Sequence, residues 1–141
     1  MTIRIVFEKQ LLDAKLTKLL ERVRDPQVLT TRWAGHMREA VMKNFEMEGR
    51  PAWRGLKEST LEARAKKGKT GKILQVSGKL MSSIHSRHNR KEAVIGTNRE
   101  YAGTHQYGNL KLEIPARPFL KLTPEDERIM VLAAEKFLSG A

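Results

Sequence analysis

The chain has 141 residues and a mass of 16.1 kDa, the size of one domain that buries roughly two-thirds of its unfolded surface. It is 40% hydrophobic and 30% charged, with a mean hydropathy of −0.51 and no cysteine, which excludes disulfide frameworks, zinc–thiolate sites and cysteine nucleophiles. Net charge is +11, and the segment from Arg50 to Lys91 holds almost all of it, because its many Lys and Arg side chains are opposed only by Glu58 and Glu62.

Met1 to Phe7 lacks the apolar run and cleavage pattern of a secretion signal, so the expected setting is the cytoplasm. Ile3, Ile5 and Phe7 alternate and predict a short strand. Leu12, Leu16, Leu19, Leu20 and Val23 recur at helical spacing and predict a helix over 8–24, stopped at Asp25-Pro26 because proline disfavours a helical residue before it. A second helix is predicted over 27–47, with Leu29, Trp33, Met37, Ala40, Val41 and Phe45 as its buried stripe. Gly49 and Pro51 end it.

Ser59-Thr60-Leu61-Glu62 has capping-box spacing and predicts a short helix to Lys67. Lys66 to Lys72 follows as an exposed loop rich in Gly and Lys. Ser77-Gly78 opens another short helix, with Leu80 and Ile84 facing inward. Residues 85–88 and 93–97 predict two strands around a turn at Asn89-Arg90-Lys91. A helical turn is expected over 100–106, and Leu110, Leu112 and Ile114 alternate as a further strand. Thr123 caps a last helix. Pro124 takes its first position, acids fill its first turn, and Ile129, Leu132, Ala133 and Phe137 form the expected buried stripe. The predicted class is α+β: one domain over 1–141, with N-terminal helices on a small antiparallel sheet, a flexible basic loop around 50–79 and a closing helix.

Catalytic constellations fail on geometry. His85 and His88 fall on a strand at an odd separation, which points them to opposite faces and away from one metal. Gly68-Lys69-Thr70 ends like a phosphate-binding loop, but Arg64 stands where its first glycine is needed and no strand precedes it. Ser77-Gly78 lacks the strand-turn-helix nucleophile elbow. The expectation is therefore a non-enzyme with no cofactor, no metal and no membrane partner. The basic segment itself favours an anionic partner, either an acidic protein surface or nucleic acid held without sequence preference.

Three segments carry a resemblance. They are Phe45-Glu46-Met47-Glu48-Gly49-Arg50-Pro51-Ala52-Trp53-Arg54-Gly55-Leu56 with Ser59-Thr60-Leu61, then Ile73-Leu74-Gln75-Val76-Ser77-Gly78-Lys79-Leu80-Met81-Ser82-Ser83-Ile84. The third is Val94-Ile95-Gly96-Thr97-Asn98, Tyr101-Ala102, His105-Gln106-Tyr107-Gly108 and Ile114-Pro115-Ala116-Arg117-Pro118-Phe119-Leu120. In this order they resemble the phage virion morphogenesis family, which includes tail-completion proteins of Mu-like contractile-tailed phages and prophages. The last series is also similar to neck and tail-terminator proteins. The resemblance implies a structural protein that completes the tail at its head-proximal end and supports head–tail joining. It further implies a ring of identical copies, a hexamer in related terminators, that meets tail-tube and head-neck proteins in a virion assembled in the host cytoplasm. Candidate assembly contacts are Trp53, Arg117, Pro118 and Phe119, with Arg117 expected to be held out to a carboxylate between two stiffening prolines. Lys66, Lys67, Lys69 and Lys72 are the candidates for phage DNA or an acidic partner.

Overall fold

A computed structural model describes residues 3–7, 25–69 and 71–139. The helix expected over 8–24 lies outside the described residues. The elements run β1 (Ile3–Phe7), α1 (Gln27–Glu46), α2 (Glu58–Lys66), α3 (Lys79–Ser82), β2 (His85–His88), β3 (Ala93–Thr97), α4 (Ala102–Tyr107) and α5 (Pro124–Ser139). The architecture is α+β, as the element pattern predicts.

The sheet has three antiparallel strands in the order β1-β3-β2, with β3 in the middle. Ile5 pairs with Ile95 on one side of β3, and Ser86 pairs with Ile95 on the other. Every residue of β3 is buried, which suits its run of small and β-branched residues. Asn89 forms the β2–β3 turn: its Oδ1 accepts the backbone N–H groups of Lys91 and Glu92.

The helix α1 packs against β2, β3 and α5, and so forms the spine of the core. Pro26 stands at its N-cap position with no side-chain cap bond, and Asp25 Oδ1 accepts the Gln27 N–H at 3.1 Å. The whole predicted stripe of Leu29, Trp33, Met37, Ala40, Val41 and Phe45 is buried. Two side chains tie this spine to distant segments. The Trp33 indole donates to the Met130 carbonyl at 2.9 Å, and the Thr30 hydroxyl donates to the Asn89 carbonyl at 2.6 Å.

Three local expectations are corrected. The segment with Leu110, Leu112 and Ile114 is not a strand. It is a tight hairpin closed between Asn109 and Ile114, and Leu110 is 98% exposed. The stripe of α5 is half as expected: Ala133 is buried and Phe137 packs against the core, but Met130 and Ala134 are buried in place of the expected Ile129 and Leu132, and those two face outward. Both sets have helical spacing, and only packing against α1 selects between them. Ser59 does not cap α2, which already begins at Glu58 with Lys57 at the cap position and no side-chain cap bond. At α5 the cap forms as expected. Thr123 Oγ1 accepts the Asp126 N–H at 3.1 Å, and Asp126 Oδ2 accepts the Thr123 N–H at 2.8 Å, a reciprocal capping box.

No helix among the described residues is long and apolar enough to cross a membrane.

Candidate assembly site

The three segments named above converge at the C-terminal end of α1. Phe45 packs tilted on Phe119 at 5.4 Å between centroids and edge-on to Trp53 at 6.0 Å. The Trp53 indole donates to the Pro118 carbonyl at 3.1 Å. From the second segment, the Gln75 amide donates to the Phe45 carbonyl at 2.7 Å, beside the backbone bond that carbonyl accepts from Glu48 at the helix end. Lys72 Nζ donates to the neighbouring Glu46 carbonyl at 2.8 Å. Phe119 is fully buried, Trp53 is nearly so, and Pro118 is partly covered.

Arg117 corrects its expectation. It is not held out to a partner; it folds inward and is only 7% exposed. Its Nε donates to the Arg54 carbonyl at 2.9 Å and one Nη to the Gly55 carbonyl at 3.1 Å, so it clamps the loop after Trp53. The flanking prolines stiffen the backbone, yet the side chain turns toward a nearer set of acceptors. Burial lowers its pKa, helped by the positive charges of Arg64 and Arg54, but a guanidinium still keeps its proton. The Arg117 backbone N–H also donates to the His105 carbonyl at 2.7 Å. His105 is pushed below its ordinary value by burial first and by the charge of Arg117 second.

Gln106 reads the same stretch from the other side. Its Oε1 accepts the N–H groups of Phe119 and Leu120 at 3.1 and 3.0 Å, and its Nε2 donates to the Leu120 carbonyl at 3.1 Å. Three backbone polar groups of this extended stretch are thus met by one side chain.

A polar knot lies below. Arg50 forms a two-pronged pair with Asp126, at 3.0 and 2.8 Å. Its Nε donates to Asn44 Oδ1 at 2.8 Å, and it also reaches the Ala40 carbonyl. Asn44 Nδ2 donates to the Phe119 and Lys121 carbonyls at 2.7 and 2.9 Å. Burial alone would raise the Asp126 carboxyl. The hydrogen bonds from Arg50 and Thr123, with the Arg50 charge, outweigh it and hold the group below its usual range. Sequence reading places Arg50 in the first resemblance segment and Asp126 among the first-turn acids of the last helix, and pairs neither with the other. The spacing from Thr123 to Asp126 is a usable sign of a cap, and Asn44 interrupts the apolar face of α1.

Lys66, Lys67 and Lys69 are exposed at the end of α2 and in the loop after it, and none of them joins an ion pair among the described residues. Lys72 is exposed too, but its ammonium is engaged at the end of α1. The structure therefore groups Trp53, Arg117, Pro118 and Phe119 at one internal junction and leaves three of the four lysines facing solvent. His85 and His88 are both exposed on β2, and among the described residues no three His, Asp or Glu side chains gather as a metal site.

The junction unites the three segments that carry the resemblance, and the family model of phage virion morphogenesis proteins matches residues 7–139. The chain belongs to the phage virion morphogenesis family. It is 46% identical over 99 residues to Mu-like prophage FluMu G protein 2 of Haemophilus influenzae, a match covering 67% of this chain and 64% of that protein, less than two-thirds of its length. It is 36% identical over 127 residues to FluMu G protein 1 of the same organism, covering 86% of this chain and 85% of the relative. It is 27% identical over 123 residues to protein G of Escherichia phage Mu, named as a candidate capsid assembly protein, covering 82% of this chain and 79% of the relative. No solved structure matches the chain. Membership places the chain among structural proteins of phage virion morphogenesis.

Proposed function

We propose that this chain is a non-catalytic structural subunit that completes the phage tail at its head-proximal end and supports head–tail joining, as a ring of identical copies. Its partners would be tail-tube and head-neck proteins, and its final place the neck of the virion. The observation that carries this reading is the family match over 7–139, which includes every segment that builds the junction around Phe45. The junction suits such a role. It locks the loops on either side of it to one rigid body, so that an assembling surface is already in place before partners meet.

Deleting the gene and imaging the lysate by electron microscopy tests the proposal. Filled heads without tails, beside tails of defective upper end, are expected. Loss of assembled heads instead would favour a capsid role of the kind named for the phage Mu relative, and normal infectious particles would overturn both.

A second reading rests on the exposed Lys66, Lys67 and Lys69, which suit sequence-independent contact with DNA. Each phosphate neutralised adds about −0.9 to the slope of log affinity against log salt on duplex DNA, so replacing all three lysines by Gln should flatten that slope by up to about 2.7. An unchanged slope removes these lysines from any DNA contact. The two readings coexist if the lysines line a channel through the ring.

A further inference from the structure

Between the hairpin over 109–114 and the loop after Trp53 lies a cavity of about 360 Å³. Arg54, Lys57 and Arg117 bring positive charge to its wall, and Glu113 brings a carboxylate. Glu113 pairs with Lys57 at 3.1 Å, so these two charges cancel, and both side chains stay largely exposed. Arg54 and Arg117 are left. Arg64 stands within reach of them: burial first, and then the charges of Arg64 and Arg54, lower the Arg117 pKa. Among the described residues no carboxylate pairs with any of these three guanidiniums. Two of them are fixed by carbonyls, Arg117 by those of Arg54 and Gly55, and Arg64 by that of Gly71 at 3.3 Å. The fold therefore gathers like charges at one wall, which repel one another unless an anion joins them.

The hydrogen bonds of Arg117 are incomplete in the same direction. The residue is only 7% exposed. Its Nε and one Nη are engaged by backbone carbonyls, while the other Nη has no hydrogen-bond partner among the described residues, and the side chain lines the cavity. An open donor on a buried charged group is unfavourable until something accepts from it. Asn109 lines the same cavity. Its Oδ1 accepts the Leu112 N–H at 3.2 Å, which leaves its Nδ2 to donate. Donors thus converge from separate side chains on both sides of the cavity.

We infer that this cavity binds a phosphate group, held by Arg54, Arg117 and Asn109, with Arg64 adding charge from beside it. A carboxylate is the poorer match. Its planar pair of oxygens is best met by the Nε–Nη edge of one guanidinium, and in Arg117 that edge is closed by the two carbonyls. Single donors from separate side chains suit the tetrahedral oxygens of phosphate, whose charge also offsets more than one guanidinium. The phosphate belongs either to a free phosphate compound or to a DNA backbone, and the test separates these sources. The inference depends on neither the ring nor a DNA contact by Lys66, Lys67 and Lys69.

Titration of the full chain with inorganic phosphate, followed by heteronuclear NMR, reads the site through the Arg117 Nε–H and Asn109 Nδ2 signals. Both should shift and saturate, and acetate at equal ionic strength should move neither. Arg54→Gln/Arg64→Gln removes two cations and keeps the clamp, because Arg117 uses only the backbone carbonyl of Arg54. Phosphate affinity should fall about tenfold or more in that variant, with an unchanged melting temperature. Lys66→Gln/Lys67→Gln/Lys69→Gln should bind phosphate as the unchanged chain does. A short DNA duplex is the second arm. If it moves the same two signals and inorganic phosphate displaces it, the natural phosphate is that of DNA, and Arg54→Gln/Arg64→Gln should flatten the salt slope by about 0.9. If phosphate moves them and the duplex does not, the ligand is a free phosphate compound. Equal shifts with acetate, no shift from either phosphate source, or undiminished phosphate affinity in Arg54→Gln/Arg64→Gln overturns the inference and leaves the tail-completion and lysine readings untouched.

Discussion

Arg50→Met is the most informative single change. Arg50 and Asp126 are 15% and 7% exposed, and Arg50 donates to Asp126, Asn44 and the Ala40 carbonyl. Removing the guanidinium strands a buried carboxylate and leaves Asn44 Oδ1 without its donor. Breaking a buried pair from one side costs about 3–5 kcal/mol, and the residual exposure of Arg50 puts this case at the lower end, near ~3 kcal/mol. For a chain of this length that corresponds to a fall of roughly 10 °C in melting temperature. Circular dichroism melts and urea titrations measure it, with Arg54→Met as the control. Arg54 belongs to the same basic segment but its side chain is exposed, so the control should stay within ~0.5 kcal/mol of the unchanged chain. The double variant Arg50→Met/Asp126→Leu should cost less than the sum of its parts by ~1 kcal/mol or more, because no charge is then stranded. An Arg50→Met variant as stable as the Arg54→Met control would refute the knot, and so would strict additivity.

Phe119→Ala should cost about 3–5 kcal/mol, since it empties the centre of the Phe45–Trp53–Phe119 cluster; a loss under ~1 kcal/mol in urea titration would show that the cluster collapses around the gap. Gly108→Ala should destabilise the fold and release the hairpin, seen as faster amide exchange over 109–114, because the added Cβ meets backbone at 2.7 Å. Two pH effects follow from the shifted groups. The His105 pKa is depressed below 6.5, so the unfolded chain binds more protons there and stability falls as pH drops from about 6.5 toward the folded value. His105→Gln should remove that slope, and melts at pH 7.5 and 5.5 read it. Asp126 is held below 3.8, so its contribution is present above that value and is lost as pH falls through the folded one. In Arg50→Met that acid-side loss should shrink, because the partner that holds the folded pKa down is gone.

Short-range patterns were legible where one reading satisfied them. The stripe of α1 could be taken from spacing alone because a helix repeats every 3.6 residues wherever it lies. The Asn89 turn, the strands around it and the Thr123 cap are likewise set by residues within a few positions of one another. The resemblance was legible for a related reason: it sits in ordered segments whose spacing survives without coordinates.

Where a pattern admitted two structures, sequence chose wrongly. Leu110, Leu112 and Ile114 alternate both in a strand and around a hairpin tip, and the segment closes on itself between Asn109 and Ile114. Ile129 and Met130 belong to adjacent stripes of α5, and the Trp33 bond to the Met130 carbonyl marks the side that faces α1. Arg50 is separated from Asp126 by 76 positions and Arg117 from Gly55 by 62, so neither ion pair nor clamp has any local signature. The sequence by itself determined most of the described elements, the family resemblance and the concentration of positive charge. Only the tertiary structure decided which cations are spent inside the fold and which apolar residues remain outside it, because pairing and burial depend on groups that the chain brings together from far apart.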